Sequence, residues 1–562
     1  MKVAVLLLAL TCSLVNTKTL SKQDDNEVAL TLNILHLNDI HAHFEEVNES
    51  TGRCHADQAE AGQCFGGMER IHTKVNEIRN ITDFKNVILL NAGDYYQGTI
   101  WYTMFKYSVV VEFAEMLNYD AMALGNHEFD DGPEGLAPFV DSVSFDVLAA
   151  NLEETSVKGE LENVKKSKVQ IMEDGTKIGI IGYVTTDTPQ ISKPGEFVKF
   201  VDEIDSIRAE AQRLRNEEQV EIIIALGHSG YELDQKMAAE IEELDVVVGG
   251  HSHTFLYTGD VLPSIEEPRG PYPTYVKQAS GKVVPVVQAY CFSKYMGHIT
   301  LNFNANGDLI QDVDGQGVSR ADVILLDNSV EKSPEVGVRM QKYRDQLQEY
   351  YEVIGETTVN LEKNGLAESN IGNVLADSMV DIWQGQAEIG FINNGGIRAN
   401  LIAGDITGED VFNVLPFNNT VDRLTMTGSG LRGLLEEYIG NVCADQSCYP
   451  GTFLQMSGLK VLYKIYEDNV GQRIASIQVR CELNGWCDLE DDAKYFVAVP
   501  SFLSEGGSRT ANFPQWSEGP PEVGPSDYVA FEAYVIKDSP IRTEIEGRIT
   551  INYYPGENAP TV

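Results

Sequence analysis

Five short clusters in this chain carry side chains that hold divalent cations: Asn38-Asp39-Ile40-His41, Gly93-Asp94, Gly125-Asn126-His127-Glu128-Phe129-Asp130, Gly227-His228 and Gly249-Gly250-His251-Ser252-His253. Carboxylate, imidazole and amide donors suit zinc, manganese and related ions. Asp39 and His41 can share one ion, and Asp94 can bridge to a second. Asn126, His228 and His251 can complete that second ion, while His253 returns to the first. Two cations roughly 3.5–4 Å apart lower the pKa of a bridging water and clamp phosphoryl oxygens during in-line attack. His127 lies beside a ligand but is not needed as one, so it can stabilise developing charge or protonate a leaving oxygen. Asp130, three residues on, can fix the tautomer of that imidazole, a role for which Glu128 competes. The chemistry these residues imply is hydrolysis of a phosphate ester.

Each cluster follows an apolar run that reads as a buried strand: Leu32 to Leu37, Val87 to Leu90, Ala121 to Leu124, Ile222 to Leu226 and Val246 to Val248. Loops beyond the ends of such strands converge on one crevice in α/β folds. Helical stretches such as Val109 to Leu117 and Ile204 to Glu217 alternate with the strands, which predicts a layered α/β domain. Ser333 to Tyr351 reads as a single connecting helix that starts at Ser333-Pro334. A second α/β pattern follows, which includes Ile371 to Trp383, Asp410 to Leu415, Gly430 to Ile439 and the strand-like Lys494 to Val499. The resulting organisation is a signal peptide over 1–17, the cation-binding domain over 28–330, a linker helix over 331–352, a second domain over 353–552 and a tail over 553–562. His36, His43, His55, His72 and His298 read as structural or solvent-facing. Asp131-Gly132 and Asp174-Gly175 are turn chemistry, and Gly66-Gly67 lacks the Gly-Lys-Ser/Thr of a phosphate-binding loop.

At 562 residues the chain needs more than one core, and its net charge of −43 argues against nucleic acid and anionic membranes as partners. Lys2 followed by apolar Val3 to Leu10 and small or polar residues to Thr17 has the form of a secretory leader. No later segment has the length and apolarity of a membrane-spanning helix, and the C-terminus shows no hydrophobic tail for a lipid anchor. A secreted, extracellular protein is expected. The cysteines suit that compartment, with Cys54/Cys64, Cys443/Cys448 and Cys481/Cys487 as local pairs and Cys291 as a buried free thiol. Asn48, Asn80 and Asn418 are glycosylation acceptors by sequence.

These motifs, in this order, resemble the 5′-nucleotidase/apyrase family of metallophosphoesterases, and the resemblance runs from about Leu30 to Ile549. It is closest to animal ecto-5′-nucleotidases and the secreted salivary apyrases of blood-feeding arthropods. It implies an N-terminal α/β/β/α metallophosphoesterase domain with two metals, a linker helix and a C-terminal α/β nucleotide-binding domain. Asp39, His41, Asp94 and His253 match the ligands of one ion, and Asp94, Asn126, His228 and His251 those of the other. His127 and Asp130 match the catalytic dyad. Zinc is the common metal, with calcium, magnesium and manganese as alternatives. His253 stands where vertebrate enzymes have an amide, whereas His-x-His is familiar in insect apyrases.

On the nucleoside side, Asn393-Asn394-Gly395-Gly396-Ile397-Arg398 resembles the family's Asn-Gly-Gly-Gly-Ile-Arg segment. Asn393 and Arg398 are thereby expected to contact base or phosphate. Phe417 and Phe502 match the pair that sandwiches the purine, and Gly451 lies close to the base. Three departures stand out. The segment 363–370 lacks the family's arginine, Ser508 replaces the ribose-binding Asp, and Asn418-Asn419 replace glycines. Loss of one charged contact costs roughly 1–3 kcal/mol. The expected function is removal of the terminal phosphate from extracellular ATP and ADP, and from AMP, as a salivary inhibitor of ADP-driven platelet aggregation. The alternative is a weak or inactive relative that binds a platelet receptor. Either a monomer or a homodimer fits the resemblance.

Overall fold

Strand Leu30–Leu37 is buried along almost its whole length, as befits a strand covered on both faces. It is central to a six-stranded sheet ordered Val318–Leu325, Tyr295–Phe303, Leu30–Leu37, Val87–Asn91, Ala121–Ala123 and Asp146–Leu148. A second six-stranded sheet runs Thr274–Lys277, Val283–Val287, Val246–Val248, Ile222–His228, Lys177–Val184 and Ser167–Ile171. Ile34, Ile88 and Leu90 of the first sheet share one core with Ile180, Ile224 and Val248 of the second. Helices Met68–Asn80, Tyr107–Leu117 and Gly132–Ser142 cover the outside of the first sheet, and Glu203–Glu218 and Tyr231–Glu240 that of the second. The result is a four-layer α/β/β/α domain. The computed structural model describes residues 27–154, 159–310, 317–445, 451–481, 485–507 and 512–560. The expected leader, Cys448 and Ser508 lie outside them.

The connection differs from the single helix expected over Ser333 to Tyr351. Helix Pro334–Arg344, capped by the Ser333 side chain, ends there, and a separate 3₁₀ turn spans Gln348–Tyr351. Arg344 forks onto Glu45 at 2.8 and 2.6 Å, and Leu347 is buried in the N-terminal core. The break redirects the chain so that Tyr350 meets Phe412 of the second domain edge-to-face at 5.6 Å.

The C-terminal domain holds a four-stranded sheet ordered Val421–Thr427, Lys494–Pro500, Ile389–Asn393 and Leu454–Ser457, and a second of Gly485–Asp488, Ile474–Cys481, Leu459–Ile465 and Ile549–Tyr553. Helices Asn370–Asp381 and Gly428–Ile439 pack on opposite cores of the first sheet. The expected tail is docked: Tyr554 stacks on Tyr466 at 4.4 Å, and Glu467 N donates to Glu557 O. Cys54–Cys64 and Cys481–Cys487 are bridged, Cys291 is a buried free thiol, and Cys443 is disulfide-bonded. Asn80 and Asn418 are exposed. Asn48 corrects the sequence reading, because it is buried and its amide is used inside a turn, accepting from Ser50 N and Gly52 N and donating to Arg53 O. Among the described residues no helix is long and apolar enough to cross a membrane.

Candidate metal centre and substrate cleft

All five clusters emerge at the C-terminal ends of parallel strands, where α/β folds gather their sites. The polypeptide is forced there into an uncommon conformation. Asp39, His41, Asp94, His251 and His253 all have φ between 48 and 78°, the left-handed region that non-glycine residues avoid. Close backbone approach adds a second constraint. A Cβ on Gly250 would lie 2.8 Å from His228 Nδ1, and one on Gly125 would lie 2.2 Å from Asp94 Oδ1.

The donor atoms converge. Asp39, His41 and His253 form one group, Asp94, His228 and His251 another, and His41, Asp94 and His127 a third between them, each with ligand atoms within 4.8 Å of one another. His253 Nε2 lies 3.2 Å from Asp39 Oδ1 and 3.0 Å from His41 Nε2. His228 Nε2 lies 2.9 Å from Asp94 Oδ2 and 3.7 Å from Asp39 Oδ1. Asn126 Oδ1 is buried without a hydrogen-bond partner. A buried orphan acceptor of this kind fits metal ligation. The other imidazole nitrogens are tied to the backbone, His228 Nδ1 to Ala92 O at 2.7 Å and His41 Nδ1 to Gln97 O at 3.2 Å.

Ionisation follows from this packing. Burial and the adjacent Arg398 hold His41 well below the usual imidazole range, and burial with His228 nearby lowers His251 to about 4. Burial opposes ionisation of Asp94, but His228 and His127 outweigh it and keep the carboxylate charged. Burial likewise opposes charge on His228, and Asp94 and Asp39 overcome it, pushing that imidazole up to about 10. Ionised Asp94 beside neutral His41 and His251 is the protonation pattern that cations need, and a cation at His228 would take the place of its proton.

His127 presents its Nδ1 to Asp130 Oδ2 at 2.7 Å, and its backbone N–H donates to Asp94 Oδ1. Burial works against its protonation, but Asp130 and Asp94 raise its pKa above the ordinary value. Ser192 Oγ donates to Asp130 Oδ1 at 2.7 Å, extending the dyad to a third residue that no sequence signal marked. Glu128 is not a rival orienter. Its two oxygens accept four backbone N–H groups, from Asp94, Tyr95, Tyr96 and Gly125, at 2.6 to 3.1 Å. It thereby clamps the Asp94 loop to the Asn126 loop. Gln288 does the same for the last cluster, donating to Gly250 O and to Asp234 and accepting from Thr254 N. Phe292, also unmarked in sequence, walls the centre against His41, His43 and His253 at 4.4 to 5.6 Å between ring centroids.

Across the cleft, Arg398 lies 3.0 Å from His41 Nε2, and its guanidinium sits 5.6 Å over the Phe417 ring. Phe417 stacks on His127 at 5.5 Å. Phe502 is half-buried in the short helix Ser501–Ser504, tied to the Phe417 loop through Ser501 N–H to Thr420 O at 2.7 Å. Asn393 is nearly buried, and Gly451 O accepts from Gly395 N two residues beyond it. Ser508 lies outside the described residues.

Comparison with known proteins agrees with both halves of this architecture. Residues 32–255 match the calcineurin-like phosphoesterase family and residues 353–515 the 5′-nucleotidase C-terminal domain. A protein of Lutzomyia longipalpis designated 5NUC is 38% identical over 546 residues, covering 92% of each chain. The chain belongs to the 5′-nucleotidase family of metallophosphoesterases. An apyrase of Tabanus yao within the same range is 34% identical, covering 96% of this chain and 97% of its own. The crystal structure of a 5′-nucleotidase precursor from Thermus thermophilus superposes with a TM-score of 0.82 at 31% identity, over 94% of this chain and 100% of that one. Membership in the 5′-nucleotidase family accounts for the pairing of a phosphoesterase domain with a second α/β domain across one cleft, and for divalent metal as the cofactor class.

Proposed function

We propose that this member of the family is a secreted two-metal nucleotide phosphohydrolase that removes the terminal phosphate from extracellular ATP and ADP, and from AMP. The observation that carries the reading is the convergence of Asp39, His41 and His253, and of Asp94, His228 and His251, into adjoining donor groups facing Arg398. In this reading the first group holds one ion, the second group with Asn126 holds the other, and Asp94 serves both. Bound there, two divalent cations, with zinc the best match to these donors, supply Lewis-acid stabilisation of phosphoryl charge and a lowered water pKa.

The chain's own residues do the rest. Arg398 neutralises and orients the phosphate and closes the cleft from the second domain. With Nδ1 fixed by Asp130, His127 has Nε2 free to hydrogen-bond the developing charge and protonate the departing oxygen. Phe417 and Phe502 offer aromatic surface to the base, with Asn393 and Gly451 at its edge, and Ser508 is assigned to the ribose. Phe417 on His127 and Phe292 around the ligands exclude bulk water, which strengthens each of these contacts.

Support for an extracellular site of action comes from the bridged cysteines and the exposed Asn80 and Asn418. Removal of ADP there would make the protein a salivary inhibitor of platelet aggregation. Phosphate release from ATP, ADP and AMP, with zinc or calcium and with a chelator, tests the reading. Metal-dependent turnover is expected, and its absence with every nucleotide and metal would overturn it. Platelet inhibition separates the receptor-binding alternative: inhibition should fail with His127→Ala and against a non-hydrolysable ADP analogue.

A further inference from the structure

A cavity of about 380 Å³ adjoins the metal centre, lined by His253, Phe292, Arg398, Lys363, Thr51 and Asn400. Two of these residues are cations, and among the described residues no carboxylate pairs with either. The acidic residues at the same cavity do not answer them. Glu266 is taken by Lys294 and by Tyr295 Oη at 2.6 Å, and Glu49 is exposed at the rim. Holding two cations without a paired carboxylate in a half-enclosed space is costly, and it is the arrangement expected where an anion arrives as counter-charge.

The backbone of Lys363 is held in place at the cavity. Its segment is clamped by reciprocal Leu361–Leu401 backbone bonds at 2.8 and 2.9 Å, and Lys363 N donates to Asn400 Oδ1 at 2.9 Å. The turn after it is held by Asn394 Nδ2, which donates to Asn364 O and Gly365 O. Arg398 bonds His41 at the ligand-cluster end of the cavity, and Lys363 lines the same cavity without bonding a residue of that cluster among the described residues.

We propose that Lys363 and Arg398 form a phosphate wall longer than one phosphoryl group, with Lys363 binding the penultimate phosphate, so that the site selects nucleoside di- and triphosphates over monophosphates. This rests on the phosphohydrolase reading for the position of the terminal phosphate at the ligand cluster. A monophosphate has no second phosphoryl group to offer Lys363, which makes the residue a determinant of specificity.

The test compares wild type, Lys363→Met and Lys363→Arg in turnover of AMP and ADP, and in calorimetric binding of AMP and α,β-methylene-ADP. The ADP-over-AMP ratio of kcat/KM should fall about tenfold or more in Lys363→Met, the size of one lost charged contact, and should recover in Lys363→Arg. The preference in binding should move in parallel. A ratio that Lys363→Met leaves unchanged would overturn the proposal. Should the wild type turn over no nucleotide, the phosphohydrolase reading falls, and calorimetry still decides. Selective loss of diphosphate affinity would then sustain the anion wall, and equal affinities across the variants would end it.

Discussion

The two walls of the cleft are built to different tolerances. On the N-terminal side, Asp39, His41, Asp94, Asn126 and His228 are almost wholly buried behind strands that are themselves covered on both faces. Their loops are fixed several times over, by left-handed backbone, by glycines that admit no side chain, and by Glu128 and Gln288. On the C-terminal side, Phe417 and Phe502 are only half-buried, and Gly451 is exposed. Rigid placement belongs to the wall whose donors must meet a fixed coordination geometry. In the proposed reading, the looser wall faces the part of the substrate that differs from one nucleotide to the next. Substitutions on the first side should therefore act on turnover, and those on the second on affinity and selectivity.

The largest split should come from His127→Ala, which removes the proposed proton donor but no proposed ligand. Its kcat should fall on the order of 10²–10⁴-fold with metal content intact; lost metal would instead make His127 a ligand. Glu128→Gln keeps volume yet leaves one acceptor where two oxygens receive four N–H groups. Metal affinity should drop about 10–100-fold, as for residues that orient ligands, read by competition with a chelator. Phe417→Ala should raise KM for adenine nucleotides about tenfold, the scale of one aromatic–base contact. Its effect on p-nitrophenyl phosphate, which has no purine, should be smaller, and equal losses would place Phe417 in the catalytic wall instead.

The smallest effect concerns pH. Burial and the neighbouring Arg398 lower Lys363 to about 7, so it is charged below that pH and neutral above. Affinity for α,β-methylene-ADP should weaken as pH rises through about 7 in the wild type, relative to Lys363→Arg, which keeps its charge. Cys291, Glu49 and the paired Glu266–Lys294 share this cavity. An equal slope in both proteins would assign the titration to one of them or to the phosphate.

Much of the catalytic wall was legible because its chemistry is local. Asp-x-His, Gly-Asp, Asn-His and His-x-His each follow a run of buried apolar residues, and the strands Val87–Asn91 and Val246–Val248 lie where that pattern put them. What was illegible arises from distant contacts. Ser192 reaches Asp130 across 62 positions, and Phe292 meets His41 only once the sheet has formed. Glu128 looked like a second orienter of His127 because nothing in Gly-Asn-His-Glu reveals four backbone donors pointing at it. The connector's amphipathic spacing continued past Arg344, while the Arg344–Glu45 fork and the packing of Tyr350 on Phe412 set where the helix stops. Lys363 reads as an ordinary lysine in sequence, and its place in one cavity with Arg398 is a tertiary fact.

The most direct test of the dimetal account is to strip the purified protein with a chelator, restore zinc stepwise, and follow bound metal by mass spectrometry alongside phosphate release from ADP. Two equivalents should bind, with turnover rising as the second is taken up. Full turnover with one equivalent, or with none, would contradict the account.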